Sequence, residues 1–278
     1  MHYIVQIQLF HNNWRVKKFI KMLDKVDFTD KVAIITGASS GIGAETAIAF
    51  ATYGAKLTLV GRNETRLLQT AQLCVARNRL VPLWLSLDLT ENGNCERVID
   101  KTIEMYGKID ILVNGAGKII LSSLHDSSMN AFDEIMNINF RVPYHLSLLA
   151  LPHLIQTKGN IVNIGSSMCK RFKPGLLPYI ISKSALETLT KHAAPELVPD
   201  GVRINTISPG STRTNKLANS NSENKLRQKI NEVWGQEMPN GQILEPNEVA
   251  KLICLAASDV FPNLNGSDLM LDGGACNS

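Results

Sequence analysis

The stretch PYIISK, residues 178–183, places a phenol and an ammonium one helical turn apart. Tyr179 and Lys183 are spaced so that both side chains lie on the same face of a helix. One interpretation is a helix surface that carries both residues without a role. The other is that Lys183 lowers the pKa of Tyr179, so that the phenol exchanges a proton with a substrate. Moving a tyrosine pKa from ~10 to ~7 requires about 4 kcal/mol of preference for the phenolate.

A glycine-rich turn, TGASSGIG at residues 36–43, is a second candidate site. It follows an apolar run and precedes a helical pattern. Gly37 would permit a sharp turn, Gly41 would allow close approach of a pyrophosphate, and Gly43 would let the helix pack on the strand. Phosphates would then meet free N–H groups at the positive end of a helix. An ordinary tight turn is the alternative, but the strand–turn–helix context favours dinucleotide binding.

The end of the second predicted strand, LVGRN, indicates which dinucleotide is bound. Dinucleotide sites often place an acid here to bind the ribose 2′-OH, whereas this chain has Gly61 followed by Arg62. An arginine can pair bidentately with a 2′-phosphate that an acid would repel. The pattern therefore favours NADP over NAD, although the nearby Glu64 leaves a solvated loop arginine as the other interpretation.

Short β-rich runs alternate with longer helical stretches from Lys31 onward, and these elements must position the candidate residues. The predicted strands are KVAIIT, KLTLVG, VPLWLSLD, IDILVNGAG, NIVNIGSS, VRINTISPG and SDLMLDGG. Crossovers of helical length imply parallel pairing with helices on both faces. We therefore predict one α/β, doubly wound Rossmann domain over residues 28–278, with a parallel sheet of about seven strands.

Composition excludes several other classes of protein. With 44% apolar and 19% charged residues the chain can bury a large core, and its net charge of +4 comes without a dense basic block. No apolar run is long enough to suggest a membrane span. The five cysteines are odd in number and never form a CxxC pair, which indicates a reducing compartment and a cytoplasmic protein. Neither a nucleic-acid partner nor a metal is expected.

The first residues differ from the rest of the chain. Residues 1–23 have no acidic side chain and carry a cluster of one arginine and three lysines. A mitochondrial presequence would be basic and poor in acids, but this segment contains no serine and one arginine. The alternative is an upstream extension with Met22 as the natural start. We predict that residues 1–27 are an extension outside the fold.

Taken together, TGASSGIG, NGAG, a serine followed by YxxxK, and SPG resemble the compact, single-domain short-chain dehydrogenase/reductase family. The motifs occur in the family's order and spacing and cover residues 28–275. The resemblance implies hydride transfer between a nicotinamide cofactor and a carbonyl or secondary alcohol, and a homo-oligomer, either a dimer or a tetramer. NNAG, the family's usual segment, is NGAG here, which removes one side-chain amide.

The resemblance also implies roles for individual residues. The catalytic set is Asn139, Ser166, Tyr179 and Lys183, with Ser166 and Tyr179 also binding the substrate. The implied cofactor contacts are Gly37, Ser39, Ser40, Gly41, Ile42, Gly43, Arg62, Asn63, Asp88, Leu89, Asn114, Gly115, Ala116, Tyr179, Lys183, Pro209, Gly210, Thr212 and Thr214. Pro195 interrupts a helix that is usually continuous in the family, which predicts a local bend beyond the lysine.

The substrate stays open at this level. Residues 211–245 are expected to hold the specificity determinants, either as an apolar lid or as a surface helix with a buried stripe. We predict NADPH-dependent reduction of a ketone or 3-oxoacyl group. The alternatives are an NAD-dependent alcohol or hydroxysteroid dehydrogenase and, from another class, a cofactor-binding sensor without turnover.

Overall fold

The computed structural model describes residues 25–125, 128–171, 175–214, 239 and 241–276. Its strands are β1 Val32–Thr36, β2 Lys56–Gly61, β3 Leu83–Ser86, β4 Ile111–Asn114, β5 Asn160–Ile164, β6 Arg203–Pro209 and β7 Asp268–Leu271. Its α-helices are α1 Gly41–Thr52, α2 Glu64–Asn78, α3 Asn94–Tyr106, α4 Met129–Met136, α5 Val142–Thr157, α6 Leu177–Leu197 and α7 Pro246–Ala257. A π-helical turn, Asn137–Arg141, joins α4 to α5, and a 3₁₀ turn, Ser167–Lys170, follows β5.

The seven strands described form one parallel sheet in the order β3-β2-β1-β4-β5-β6-β7. The predicted α/β fold with a sheet of about seven strands is confirmed. Strand order reverses between β1 and β4, so the connections that leave these two strands diverge and open a crevice at the carboxyl edge. The turns that follow all the parallel strands meet at this edge.

Successive residues of a central strand enter different cores. Ala33 and Ile35 of β1 belong to one buried cluster, whereas Ile34 between them belongs to the other. Every residue of β1 is buried, which explains why its sequence is an apolar run and not an alternating one. The helices therefore cover both faces of the sheet, and the edge with the turns is left for a ligand.

The beginning of the packed core lies close to the predicted boundary at residue 28. Phe28 is 1% exposed, stacks on Phe50 with ring centroids 4.4 Å apart, and meets Tyr53 edge-on at 6.1 Å. Val26 is also buried, so part of the predicted extension packs on the core. Residues 1–24 and most of the predicted 211–245 lid lie outside the described residues. Within the described part of the chain, no helix is both long and apolar enough to cross a membrane.

Replacing Phe28 with alanine should lower the free energy of unfolding by about 3 kcal/mol, because a fully buried ring is lost from a stacked aromatic cluster. Urea denaturation followed by far-UV circular dichroism measures this change. Phe261→Ala is the matched control, since that ring is 38% exposed, and it should cost less than half as much. Equal losses for the two variants would show that Phe28 is not an anchor of the fold.

Candidate active site

A cleft of about 740 Å³ opens at the carboxyl edge of the sheet, where strand order reverses. Eleven of the predicted cofactor residues line it: Gly37, Ser39, Ser40, Ile42, Gly43, Arg62, Asn63, Asp88, Leu89, Gly115 and Ala116. Its volume lies in the range of small-molecule and cofactor sites. The cleft runs from the glycine-rich turn before α1 to Gly117 and Lys118 after β4.

Two glycine turns pack directly against each other at the floor of this cleft. A Cβ atom on Gly37 would lie 2.7 Å from the carbonyl oxygen of Gly115, and one on Gly115 would lie 2.6 Å from the oxygen of Thr36. The Thr36 hydroxyl accepts hydrogen bonds from the N–H groups of Gly115 and Ala116, at 3.0 and 3.1 Å. The departure from NNAG to NGAG is therefore explained by space: at this separation of the turns, residue 115 has no room for a side chain.

The entry into α1 has the geometry of a phosphate cradle. Gly41 has φ +57°, and a Cβ there would lie 3.0 Å from the Thr214 methyl group; one on Gly43 would lie 2.4 Å from the Gly37 oxygen. Helix α1 begins at Gly41 with no acidic residue in its first turn and no side-chain cap on its N–H groups. These donors and the helix dipole suit a pyrophosphate. The residues present therefore fit a dinucleotide.

The end of β2 leaves little room for a side chain at position 61, where many dinucleotide sites have an acid. A Cβ on Gly61 would lie 3.0 Å from both side-chain atoms of Ser39. Arg62 follows, with its side chain 65% exposed and 3.5 Å from Asp88. Arg66, which the sequence analysis did not single out, also lines this part of the cleft. Two arginines, Arg62 and Arg66, therefore line the cleft beside the end of β2.

Asp88 is held in place by its neighbours. Its carboxylate accepts hydrogen bonds from the N–H and the hydroxyl of Thr90, at 2.9 and 2.6 Å. Partial burial acts to raise the pKa of Asp88, but the hydrogen bonds from Thr90 and the charge of Arg62 outweigh it and hold that pKa below the usual value. A charged carboxylate at fixed orientation therefore lies beside the cleft.

Several predicted contacts are used inside the protein. Asn114 is 1% exposed, and its amide donates to Asn163 at 2.9 Å and to Ser147 at 3.3 Å, so it supports the turn from below. Asn63 lines the cleft but also caps α2 through a hydrogen bond from the Arg66 N–H. The segment after β6 folds back locally, since the Thr212 hydroxyl donates to the Gly210 oxygen at 2.9 Å. Pro209, the last residue of β6, is buried.

Tyr179 and Ser166 meet in a buried setting. Ser166 caps the 3₁₀ turn after β5 and is 5% exposed, and Tyr179 in the first turn of α6 is 6% exposed. Burial raises the pKa of Tyr179 to about 12, although a hydrogen bond from Ser166 acts to lower it. This differs from the lowered pKa expected from the spacing of Tyr179 and Lys183. The physical reason is that withdrawing the phenol from water disfavours the phenolate more than its protein neighbours favour it.

Lys183 and Asn139 meet across Gly117. The Lys183 ammonium, 2% exposed, donates to the carbonyl oxygen of Ile164 at 2.6 Å, immediately before the segment that carries Ser166. A Cβ on Gly117 would lie 3.1 Å from Asn139 Oδ1 and 3.5 Å from Lys183 Nζ. The structure therefore brings Asn139 and Lys183 beside Gly117, which lines the cleft, and places Ser166 and Tyr179 on the elements that adjoin Lys183.

The π-helical turn places Asn139 in a fully buried network. Asn139 accepts from the Lys118 N–H at 2.8 Å and donates to the Lys118 oxygen at 3.0 Å, so it fixes the turn after β4. It also donates to the Ser182 hydroxyl at 3.0 Å, and that hydroxyl donates to the backbone carbonyl oxygen of Tyr179 at 2.7 Å. Sequence reasoning missed Ser182 and Lys118. The serine directly precedes Lys183 on the candidate helix, which was the available signal.

Comparison with known proteins agrees with this geometry. Residues 37–276 match the family model described as enoyl-(acyl carrier protein) reductase. The chain belongs to the short-chain dehydrogenase/reductase family. It is therefore an oxidoreductase that acts on a carbonyl or CH–OH group with NAD(P), as the sequence resemblance predicted.

Alignments with characterised relatives cover most of the length of this short-chain dehydrogenase/reductase. A 3-oxoacyl-(acyl-carrier-protein) reductase of Thermotoga maritima is 31% identical over 245 residues, 88% of this chain and 97% of the relative. A meso-2,3-butanediol dehydrogenase of Serratia marcescens is 31% identical over 248 residues, 89% of this chain and 95% of the relative. The crystal structure of a short-chain type dehydrogenase/reductase from Mycobacterium marinum, 28% identical, superposes with a TM-score of 0.83 over 91% of this chain and 98% of its own.

The raised pKa of Tyr179 predicts the pH dependence of carbonyl reduction. The acid form must give up the proton, so the rate is retained below the pKa and lost as the pH rises through it. With a pKa of about 12, kcat for reduction should stay flat from about pH 6 to about pH 9. Steady-state rates at saturating reduced cofactor and constant ionic strength measure this. A fall in kcat with a midpoint near pH 7 would mean that the pKa of Tyr179 is lowered to about 7 in the complex with cofactor and substrate.

Proposed function

We propose that this chain is an NADPH-dependent reductase of a ketone or 3-oxoacyl substrate, with Tyr179 as the proton donor. The observation that carries the proposal is the burial of the Tyr179 phenol beside Ser166, on the same face of α6 as Lys183. Asn139 and Lys183 complete the set, and the glycine turn at residues 37–43 holds the pyrophosphate.

Reduction of a carbonyl requires two hydroxyl groups, those of Ser166 and Tyr179, next to the carbonyl oxygen of the substrate. Bound NADPH supplies the hydride. The Ser166 hydroxyl donates a hydrogen bond to the substrate carbonyl oxygen and stabilises the negative charge that develops there. Tyr179 transfers its phenolic proton to the same oxygen, which gives the alcohol. Lys183 would orient the ribose of the cofactor and, through a water that Asn139 would hold, would return a proton from solvent to Tyr179.

The burial of Tyr179 favours the reductive direction. A phenol with a pKa raised to about 12 is fully protonated at neutral pH, so it is ready to act as an acid. Oxidation of an alcohol would need the phenolate, which burial disfavours. The NAD-dependent alcohol or hydroxysteroid dehydrogenase, which works in that direction, is therefore the second candidate.

The choice of NADPH rests on the end of β2. A side chain at position 61 would crowd Ser39, and Asp88, a carboxylate that lines the cleft, is engaged by Thr90 and Arg62. Arg62 and Arg66 both border the cleft there. Two arginines at this part of the cleft suit a 2′-phosphate better than a 2′-hydroxyl.

The substrate class is proposed from the family. A 3-oxoacyl thioester and a small vicinal diketone are the first candidates, because the named relatives act on 3-oxoacyl groups and on butanediol. The description of the family model adds an enoyl thioester. A sensor without turnover is disfavoured, because all four catalytic side chains are retained and lie on adjoining elements.

We also propose that the protein is a cytoplasmic homo-oligomer, a dimer or a tetramer. Three large side chains on α5 are solvent-exposed along the helix: Tyr144, Leu148 and Ile155. Exposed apolar rows of this kind often mark contacts between subunits. All five cysteines lie in the described residues and none is paired, which suits a reducing compartment. Sedimentation velocity distinguishes the oligomer from a monomer.

Exchange of Arg62 for aspartate should abolish the preference for NADPH. The 2′-phosphate loses a cation and meets a carboxylate, so the Kd for NADPH should rise about 10- to 100-fold while that for NADH changes little. Fluorescence titration with both cofactors measures the two constants. Arg77→Asp, an equal charge change in the last turn of α2, is the control. If wild-type protein binds NADH more tightly than NADPH, the NADPH assignment is wrong.

Removal of the Tyr179 hydroxyl should abolish turnover and leave cofactor binding intact. Tyr179→Phe should lower kcat by about 10²- to 10⁴-fold on butane-2,3-dione, a 3-oxoacyl thioester and an enoyl thioester, whichever is turned over. The control is Tyr144→Phe, which removes a hydroxyl from an exposed tyrosine on α5. Tight NADPH binding by wild-type protein without turnover on any of these compounds would favour the sensor.

A further inference from the structure

One face of α6 contacts the segment that carries Ser166 at three successive turns. The buried Tyr179 phenol interacts with Ser166, and Lys183 donates to the backbone oxygen of Ile164, two residues before Ser166. Glu187, one turn further along α6, is paired with Lys170 at the end of the 3₁₀ turn. Residues four apart on a helix share a face, so one rigid element grips this segment before, at and after Ser166.

Lys170 also ties the turn to the sheet. Its ammonium lies 3.6 Å from the Asp268 carboxylate at the start of β7, and the Ser208 hydroxyl of β6 donates to the other oxygen of that carboxylate at 2.5 Å. The Asp268 side chain is 15% exposed. Lys170 therefore bridges two carboxylates from different elements. The Ser208 hydroxyl also packs against the backbone of Gly165, the residue before Ser166. A Cβ on Gly165 would lie 2.6 Å from the Ser208 hydroxyl oxygen.

Apart from the ion pairs of Lys170, the turn is held by long backbone bonds and by weak thiol donors. Its internal bonds run from the N–H of Cys169 to the oxygen of Ser166, at 3.2 Å, and from the N–H of Met168 to the Ser166 hydroxyl, at 3.3 Å, with a third from the N–H of Arg171 to the oxygen of Met168, at 3.3 Å. The thiols of Cys169 and Cys276 donate to the backbone oxygens of Ile180 and Ser167, at 3.7 and 3.2 Å. A single 3₁₀ turn has poor hydrogen-bond geometry and is seldom stable alone. The bond from the Met168 N–H also uses the hydroxyl that must turn towards a substrate. The position of Ser166 therefore depends on what holds the end of the turn.

We infer that Lys170 and Glu187 are positioning residues for Ser166, and that their ion pair sets the orientation of the Ser166 hydroxyl relative to Tyr179. The inference rests on the proposed reductase function. Neither residue is placed against substrate or cofactor. Because ion pairs this exposed contribute little to global stability, the effect is expected in the chemical step and in the local order of the turn.

The kinetic test uses Lys170→Met with Lys170→Arg and Glu187→Gln. Small errors in the placement of reacting groups are costly, so Lys170→Met should lower kcat for carbonyl reduction about 10- to 100-fold, with the Kd for NADPH within about twofold of wild type. Lys170→Arg should restore most of the rate, because it keeps the charge. Lys101→Met, which removes an exposed ion pair with Glu104 on α3, is the matched control and should be fully active.

A double variant shows whether Lys170 acts through Ser166. If it does, adding Lys170→Met to Ser166→Ala should lower the residual kcat by less than about twofold, since the hydroxyl to be positioned is gone. A full additional loss in the double variant would mean that Lys170 acts elsewhere and would overturn the inference. So would a Lys170→Met enzyme as active as wild type, or one whose loss arginine does not restore.

Hydrogen exchange supplies a readout that needs no turnover. In Lys170→Met and in Glu187→Gln the amides of residues 168–171 should exchange at least about tenfold faster than in wild type, whereas in Lys101→Met they should be unchanged. If wild-type protein shows no turnover, the proposed function fails. The exchange measurement then decides by itself whether the ion pair of Lys170 and Glu187 holds the turn that follows Ser166. Unchanged exchange at these amides in both Lys170→Met and Glu187→Gln would overturn the inference.

Discussion

The close contact between the glycine turn after β1 and the turn after β4 sets the position of everything else in the site. Gly37 and Gly115 approach so closely that neither has room for a Cβ atom, and Thr36 bonds the second turn to the end of the first strand. This contact lies where strand order reverses, so the turns on either side diverge and leave the cleft open. The turn after β4 then places Gly117 beside the buried side chains of Asn139 and Lys183.

Burial has opposite effects at the two ends of this cleft. Near β2 the side chains are exposed and charged: Arg62 and Arg66 are the groups proposed to attract an anion, and Asp88 keeps its charge because the hydrogen bonds from Thr90 and the charge of Arg62 lower its pKa. At the other end, burial sets the protonation state of Tyr179. The loss of water raises the pKa of the phenol more than Ser166 lowers it, so Tyr179 stays protonated. A neutral phenol can donate one proton, and reduction of a carbonyl by hydride consumes one proton.

Features encoded in a local pattern could be predicted from the sequence. The strands follow from apolar runs bounded by turns, and the glycine turn follows from its place between a strand and a helix. Properties that depend on distant residues could not be predicted. The spacing of Tyr179 and Lys183 suggested a lowered pKa, but how far the phenol is withdrawn from water depends on packing between elements. The amide of Asn114 matched a cofactor motif, yet the fold directs it to Asn163. The ion pair of Lys170 and Glu187 joins residues seventeen positions apart.

The separation of the two ends also bears on how such an enzyme can diversify. The groups proposed to choose the cofactor lie after β2, whereas those proposed for proton transfer lie after β5 and on α6, two strands beyond β1 in the sheet. No described hydrogen bond or ion pair joins Arg62 to the network of Ser166, Tyr179 and Lys183. A change of cofactor preference therefore need not disturb the chemistry. By contrast, α6 carries a side chain with a proposed role on each of three successive turns, so any change that shifts this helix moves Tyr179, Lys183 and Glu187 together.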